Sequence, residues 1–346
     1  MSDIDHQTNN DTAGYSESVS PQVLERNAEV LVISDPLFVL APPRSYSSAI
    51  GTMLGQHPQM YDLPEMHLFG VETMAEWWEG CSRASFNMAH GLLRALAQLY
   101  FGEQTEDSIK LAAGWLRRRL HYTPGFLLEL LAERVHPSIV VYKSPSIVYN
   151  LEFLQRAHGM FPRARFIHLL QHPRSHGEGI MKAIQEAAAR DRVPQWLVHL
   201  ATFSQSVERD GVSQELPEWD PQKAWYALHR NIIAFLESIP EEQKLVIRGE
   251  DVLSDPDPHL LRIASWMGLR TDQEAIEAMK HPDRSPYACF GPPGARYGND
   301  AAFLQNPTIE FGPPASQSLE GRQTWRDDED GFSSEVIHLA QQFGYE

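Results

Sequence analysis

The chain has 346 residues, of which 42% are hydrophobic and 22% charged, the composition of an ordinary globular protein. Its 46 acidic residues exceed its 29 Lys and Arg residues and leave a formal net charge of −17. This charge argues against a nucleic-acid binder or a protein held on anionic lipid, although a small anion needs only local positive charge. The chain has only two cysteines, which suits a reducing compartment, and its N-terminus has no secretory signal, so we expect a cytoplasmic protein. It has no long apolar stretch, so we expect no membrane segment.

The first elements follow a polar tail. Residues 1–25 are rich in Asp, Asn, Ser and Thr, which predicts a disordered acidic tail. The apolar run 37–40 predicts a short buried strand, and 45–57 reads as a helix with Ser residues as N-caps. Residues 70–135 have apolar residues at three- and four-residue spacing, which predicts a helical insertion or cap.

Strands then alternate with helices through the rest of the chain. We predict strands over 139–142, 166–170 and 244–247, helices over 151–158, 175–190, 223–238, 259–267 and 333–343, and long ordered loops over 282–330. Near-continuous apolar strands that alternate with helices indicate an α/β fold, a three-layer sandwich with a central parallel sheet.

The segment LFVLAPPRSYSSAIGTML is the most informative part of the chain. It predicts a strand, a tight turn and a helix start, and ligands of such sheets bind at the carboxyl ends of the strands. Free N–H groups of the helix suit a phosphate or sulfate. Arg44 adds a fixed charge, and Ser45, Ser47 and Ser48 add hydroxyl donors. The Walker pattern is absent, so an ordinary nucleotide hydrolase is not expected. The alternative is a Ser-capped helix with an incidental surface arginine.

Three segments together resemble the sulfotransferase family: PRSYSS, VVYKSPS and FPRARFIHLLQHPRS. The resemblance covers about residues 35–346, and the region HPDRSPYACFGPPGARYGNDAAFLQNP is similar to bacterial branches that include polyketide-synthase-associated domains of secondary metabolism. It implies a P-loop-like sulfotransferase fold, a single domain over 26–346, and 3′-phosphoadenosine-5′-phosphosulfate as co-substrate. It also implies a 5′-phosphosulfate loop at Arg44, Ser45, Tyr46, Ser47 and Ser48.

Three residues are candidates for catalysis. The segment YDLPEMHLF resembles the family's acidic position, so Glu65 is the preferred base, and His67 is the alternative. Lys143, at the end of the second predicted strand, is a candidate to stabilise the leaving oxygen. For each residue the alternative is structural: a loop cap for Glu65, packing for His67 and a solvated strand end for Lys143.

The family pattern is incomplete at the nucleotide's 3′-phosphate. Gln171 and Gly179 stand where the family usually has Arg and Ser, and Tyr46 replaces a Gly in the first loop. The missing charge could come from Arg174, His172, Arg296 or Arg322. A second hypothesis is therefore a sulfotransferase-fold protein with a degenerate donor site, which acts as a binding or accessory protein or on a different anionic substrate.

The spacing of His168, His172 and His176 would suit a metal site on a single helix, but Pro173 interrupts it and His168 lies in a predicted strand. We therefore expect no metal. The expected partner is a small-molecule or carrier-bound hydroxyl acceptor, with no nucleic acid and no membrane, and nothing in the sequence indicates an oligomeric state.

Overall fold

The apolar runs pair into one parallel sheet. The computed structural model describes residues 34–84, 86–188, 220–313, 317–326 and 330–346. The strands are β1 (Leu37–Leu40), β2 (Met60–Asp62), β3 (Ile139–Lys143), β4 (Arg165–Leu170) and β5 (Lys244–Arg248), in the spatial order β2-β3-β1-β4-β5. Strand β1 pairs in parallel with both β3 and β4, so that Phe38 lies beside Tyr142 and Phe166. The predicted tail, residues 1–25, lies outside the described residues.

Helices cover both faces of this sheet. They are α1 (Ser47–Gly55), α2 (Met74–Ala84), α3 (His90–Phe101), α4 (Glu106–Arg117), α5 (Pro124–Val135), α6 (Leu151–Met160), α7 (Pro173–Ala188), α8 (Pro221–Leu236), α9 (Gly249–Ser254), α10 (Pro256–Met267), α11 (Gln273–Met279), α12 (Ala301–Gln305) and α13 (Ser334–Gln342). Among the residues that the structure describes, no helix has the length and apolar character needed to span a bilayer.

Alternate residues of β1 belong to two separate cores. Phe38 and Leu40 of β1 belong to the core that α3, α4, α5, α6 and α8 cover. Leu37 and Val39 belong to the core under α1, α10 and α11. The predicted three-layer α/β architecture is therefore confirmed, and the period-two alternation explains why the strands are apolar on both faces.

Side-chain caps fix the start of most helices. Thr105 caps α4, Asn150 caps α6, Asp220 caps α8 and Asp272 caps α11, each through its side-chain oxygen. Helix α1 differs, because its N-cap is Tyr46 and no side chain caps it. The prediction of Ser N-caps is wrong there, and the N–H groups of the first turn keep their capacity to bind an anion.

The region between β2 and β3, where the sequence predicts a helical insertion, holds the helices α2 to α5. The sequence prediction missed β2, a strand of three residues that pairs with β3 at one edge of the sheet. It lacks an apolar run, because its last residue, Asp62, is a buried carboxylate. Most other element ends differ from the prediction by one to three residues, the usual uncertainty of helix and strand ends.

Close packing of α3 on the segment after β2 yields the first testable prediction. A Cβ at Gly91 would lie 1.9 Å from the carbonyl oxygen of Glu65, a backbone atom that cannot rotate away. We expect Gly91→Ala to destabilise the protein by about 1–3 kcal/mol, the usual cost of overpacking. Gly80→Ala in α2, where a Cβ meets nothing within 4 Å, should stabilise by about 0.5–1 kcal/mol. Urea unfolding measures both variants, and equal stabilities would contradict this packing.

Candidate active site

The segments predicted to carry function meet at the carboxyl ends of the strands. The loop after β1 leads into α1, and the segment after β2 carries Glu65 and His67. Lys143 ends β3, and Gln171 follows β4. Since all the strands are parallel, these strand ends share one edge of the sheet, where α/β proteins bind their ligands.

The loop after β1 has an unusual backbone conformation. Arg44 and Tyr46 have φ angles of 69° and 60°, in the left-handed region that residues other than glycine rarely adopt. Such a conformation costs on the order of 1–2 kcal/mol per residue, so surrounding contacts must hold it. One of them is the hydrogen bond from the backbone N–H of Ile50 to the carbonyl of Tyr46, at 2.9 Å.

Arg44 is paired in this site. Its guanidinium forms an ion pair with Asp300, and both side chains are about one-quarter exposed. The other oxygen of Asp300 accepts from the backbone N–H of Ala302 at 2.9 Å and so caps α12. The Nε of Arg44 is buried and has no hydrogen-bond partner among the described residues. Sequence reasoning missed Asp300, because its contact joins positions 256 residues apart.

Ser48 connects this ion pair to Glu65. The backbone N–H of Asp300 donates to Ser48 Oγ at 3.0 Å, and Ser48 Oγ donates to Glu65 Oε1 at 3.0 Å. The backbone N–H of Glu65 donates to the carbonyl of Gly298 at 2.6 Å. Burial raises the pKa of Glu65, while Lys143, Ser48 and Arg44 lower it. The arrangement therefore holds an oriented carboxylate next to the loop after β1.

Lys143 lies behind α1, fully buried. Its Nζ donates to the carbonyl of Leu63 at 2.7 Å and lies 3.9 Å from Asp62, itself buried. Helix α1 passes so close that a Cβ at Gly51 would lie 2.3 Å from the Cδ of Lys143. Burial lowers the pKa of Lys143, and Asp62 and Glu65 oppose that shift. The predicted role at the leaving oxygen stays a prediction, because Lys143 faces Asp62 and Glu65 here.

His67 takes a different position from Glu65. Its Nδ1 is 3.0 Å from the Oγ of Ser146, and its backbone N–H donates to Ser144 Oγ at 3.2 Å. It also has a left-handed φ of 53°. The imidazole thus contacts the segment after β3, whereas the Glu65 carboxyl contacts α1.

Comparison with known proteins identifies the family. A profile described as the sulfotransferase family matches residues 36–273, more than half of the chain. The chain belongs to the sulfotransferase family. Its structure is similar to the sulfotransferase domain from the curacin biosynthetic pathway (19% identity, TM-score 0.63, 90% of this chain and 98% of that chain covered). It is also similar to the sulfotransferase domain from the Synechococcus PCC 7002 olefin synthase (22% identity, TM-score 0.64, 90% and 96% covered). At these identities the likeness shows the fold, and no curated protein matches the chain.

In this sulfotransferase, the ring of Tyr46 lies against Gly249, the first residue of α9. A Cβ at Gly249 would lie 2.6 Å from its ring, so the glycine makes room for the tyrosine. Its hydroxyl approaches Gln171 and Ser175, and burial raises the pKa of Tyr46, with Glu250 adding to the shift. Gln171 is buried and its Oε1 has no hydrogen-bond partner among the described residues.

The positions considered for the 3′-phosphate have other partners or none. A Cβ at Gly179 would meet nothing within 4 Å. The guanidinium of Arg174 donates to the carbonyls of Ser318, Glu320 and Arg322 at 2.8–3.0 Å. The backbone N–H of His172 donates to Glu250 at 2.8 Å. The Arg174 guanidinium would therefore have to leave these backbone carbonyls to reach a 3′-phosphate.

A buried histidine, His176, contacts the loop after β1, and two others, His168 and His229, contact each other. His176 Nε2 lies 3.0 Å from the carbonyl of Pro43, which can only accept, so this nitrogen carries the proton. His168 Nε2 and His229 Nδ1 lie 2.8 Å apart, and all three imidazoles are buried. In the described part of the chain, no group of three His, Cys, Asp or Glu residues is arranged to hold a metal ion.

The buried histidines predict an acid sensitivity. Burial lowers the pKa of His176 to about 4 and of His168 to about 3, and that of His229 well below its usual value. Because the unfolded chain has a histidine pKa of ~6.5, it takes up protons first as the pH falls, so stability is lost between about pH 6.5 and 4.

His229→Gln tests this assignment. Because the variant has one buried histidine fewer, the wild type should lose about 1.4 kcal/mol more per pH unit than the variant below pH 6.5. Urea unfolding at pH 8.0, 6.5 and 5.0 measures the difference, and subtraction cancels the titration of shared groups. Parallel losses in the two proteins would contradict neutral, buried imidazoles.

Proposed function

We propose that this enzyme transfers a sulfuryl group from 3′-phosphoadenosine-5′-phosphosulfate to the hydroxyl of a small-molecule or carrier-bound acceptor. The observation that carries the proposal is the juxtaposition of the Arg44 loop, the uncapped start of α1 and the Glu65 carboxyl, joined through Ser48. The loop and the helix start can bind the anionic donor, and the carboxyl can accept the proton of the acceptor hydroxyl. Sulfuryl transfer requires both.

Arg44 and the N–H groups of α1 would hold the 5′-phosphosulfate. The Nε of Arg44 and the Oγ of Ser45 are buried and find no hydrogen-bond partner within the described part of the chain. They are further donors at this position, and their lack of acceptors there fits an anionic ligand. As the acceptor oxygen forms its bond to sulfur, the bond from sulfur to the bridging oxygen breaks and that oxygen keeps the electron pair. Fixed donors beside that oxygen stabilise the developing charge without reorganisation.

Glu65 would accept the proton of the acceptor hydroxyl. The hydrogen bond from Ser48 orients the carboxyl toward the loop, and burial raises its pKa toward the range of an effective base. Lys143 opposes this shift, because its positive charge lowers the pKa of that carboxyl. His67 is the second choice, since its imidazole contacts Ser146.

The acceptor is proposed from the family branch. The two similar structures come from a biosynthetic pathway and from an olefin synthase, which favours a hydroxyl of secondary metabolism on a small molecule or a carrier-bound chain. A cytoplasmic location and the absence of nucleic-acid and membrane partners remain predictions from composition and charge.

A second candidate function rests on the 3′-phosphate positions. Gln171 and Gly179 have no charge to offer, and Arg174 is engaged by backbone carbonyls. The protein could therefore bind or use a different anion and be degenerate as a donor enzyme. Thermal unfolding with adenosine 3′,5′-bisphosphate, compared with adenosine 5′-phosphate, separates the two candidates.

The donor hypothesis predicts a selective increase in thermal stability. A ligand at 100 times its Kd stabilises a protein by about 2.7 kcal/mol, so the bisphosphate should raise Tm by several degrees. The monophosphate should raise it less, because it lacks the 3′-phosphate. Equal shifts with both nucleotides would favour the second candidate, and no shift with either would count against nucleotide binding.

Glu65→Gln should separate binding from chemistry. The amide still accepts a hydrogen bond from Ser48 but cannot take a proton, so transfer should fall about 10²- to 10⁴-fold while bisphosphate binding is kept. Transfer from radiolabelled donor to a panel of hydroxyl acceptors measures the first effect, and calorimetry the second. His67→Gln is the matched variant, and a larger loss in it than in Glu65→Gln would reverse the assignment of the base.

A further inference from the structure

The Asp300 carboxylate is paired with Arg44, the arginine to which the proposed function assigns the donor. The Arg44 guanidinium forms an ion pair with one oxygen of the Asp300 carboxylate, while the other oxygen caps α12. An aspartate at a helix N-cap needs no arginine, because the first N–H groups of the helix satisfy it. The ion pair is therefore an additional feature, and it places a negative charge where an anion would bind.

The local charges oppose an anion. Besides Asp300, the carboxyls of Glu186 and Glu65 act on the Arg44 guanidinium. Burial lowers the pKa of Arg44, and these two carboxyls raise it. The nearby cation Lys143 does not compensate, because it is fully buried and faces Asp62. Among the described residues, several carboxyls thus act on Arg44, in a chain whose net charge is −17.

We propose that Asp300 is an internal anion that competes with the donor for Arg44 and thereby sets the affinity of the site. The proposal rests on the proposed function, since it assumes that an anion binds at the loop after β1. The Asp300 carboxylate holds the Nη1 of Arg44, so a sulfate or phosphate group that takes this nitrogen must displace it. Binding at Nη1 therefore exchanges one ion pair for another.

The arrangement allows this exchange without unfolding. The cap bonds to α12 hold one carboxylate oxygen, so the aspartate keeps partners when Arg44 leaves. The Arg44 side chain is about one-quarter exposed, which leaves its guanidinium room to turn toward a ligand. The backbone N–H of Asp300 stays with Ser48, so the link to Glu65 does not depend on the ion pair.

Asp300→Asn removes the charge and keeps the cap, because asparagine is an equally good N-cap residue. We expect this variant to bind inorganic sulfate and adenosine 3′,5′-bisphosphate about tenfold more tightly than the wild type, since a repelling carboxylate next to the anion is removed. Calorimetric titration with each ligand, at one fixed ionic strength, measures the change.

Asp272→Asn is the matched control. Asp272 also caps a helix, α11, and pairs with an arginine, Arg270, at 2.8 Å, but on the exposed surface. Asp272→Asn should likewise keep its cap and lose its ion pair, but with no effect on anion binding. A gain in both variants would assign the effect to overall charge and overturn the proposal.

Two further outcomes decide the proposal. Weaker or unchanged binding in Asp300→Asn, with binding in the wild type intact, would overturn it and make Asp300 a residue that positions Arg44. Tighter sulfate binding in Asp300→Asn without nucleotide binding or transfer in either protein would uphold it and reject the proposed function. Failure of every protein to bind any anion would overturn both.

Discussion

The organisation of the site depends on the two hydrogen bonds of the Ser48 hydroxyl. It accepts from the backbone N–H of Asp300 and donates to Glu65, at 3.0 Å in each case. One side chain on α1 thereby joins the loop after β1, the segment after β2 and a segment 252 residues away in sequence. Parallel pairing of the strands brings the loop after β1 and the segment after β2 to one edge of the sheet. The hydrogen bonds of Ser48 hold Glu65 and Asp300 beside α1 there.

Charge is the second constraint on this sulfotransferase. An enzyme that handles an anionic donor must gather positive potential locally, and a net charge of −17 makes that harder. Here the positive features are Arg44 and the start of α1, while Lys143 is used inside the protein to balance Asp62 and Glu65. In the proposal above, the carboxyl of Asp300 then limits what Arg44 can bind.

The sequence predicted the parts of this arrangement that leave a local pattern. The apolar runs of four strands, the helical insertion and the loop at Arg44 are all visible as periodicity or as strand-turn-helix succession. The edge strand β2 left no such pattern, because it is three residues long and ends in a buried carboxylate. Asp300 could not be predicted either, since its partners Arg44 and Ser48 are distant in sequence and an aspartate before a short helix indicates only a cap.

A crystal structure of the protein with adenosine 3′,5′-bisphosphate tests the central claim most directly. We predict that the 5′-phosphate lies within hydrogen-bonding distance of the Arg44 guanidinium and the first N–H groups of α1, with the Asp300 carboxylate no longer on Arg44. A nucleotide bound elsewhere, while the ion pair between Arg44 and Asp300 stays intact, would contradict the account.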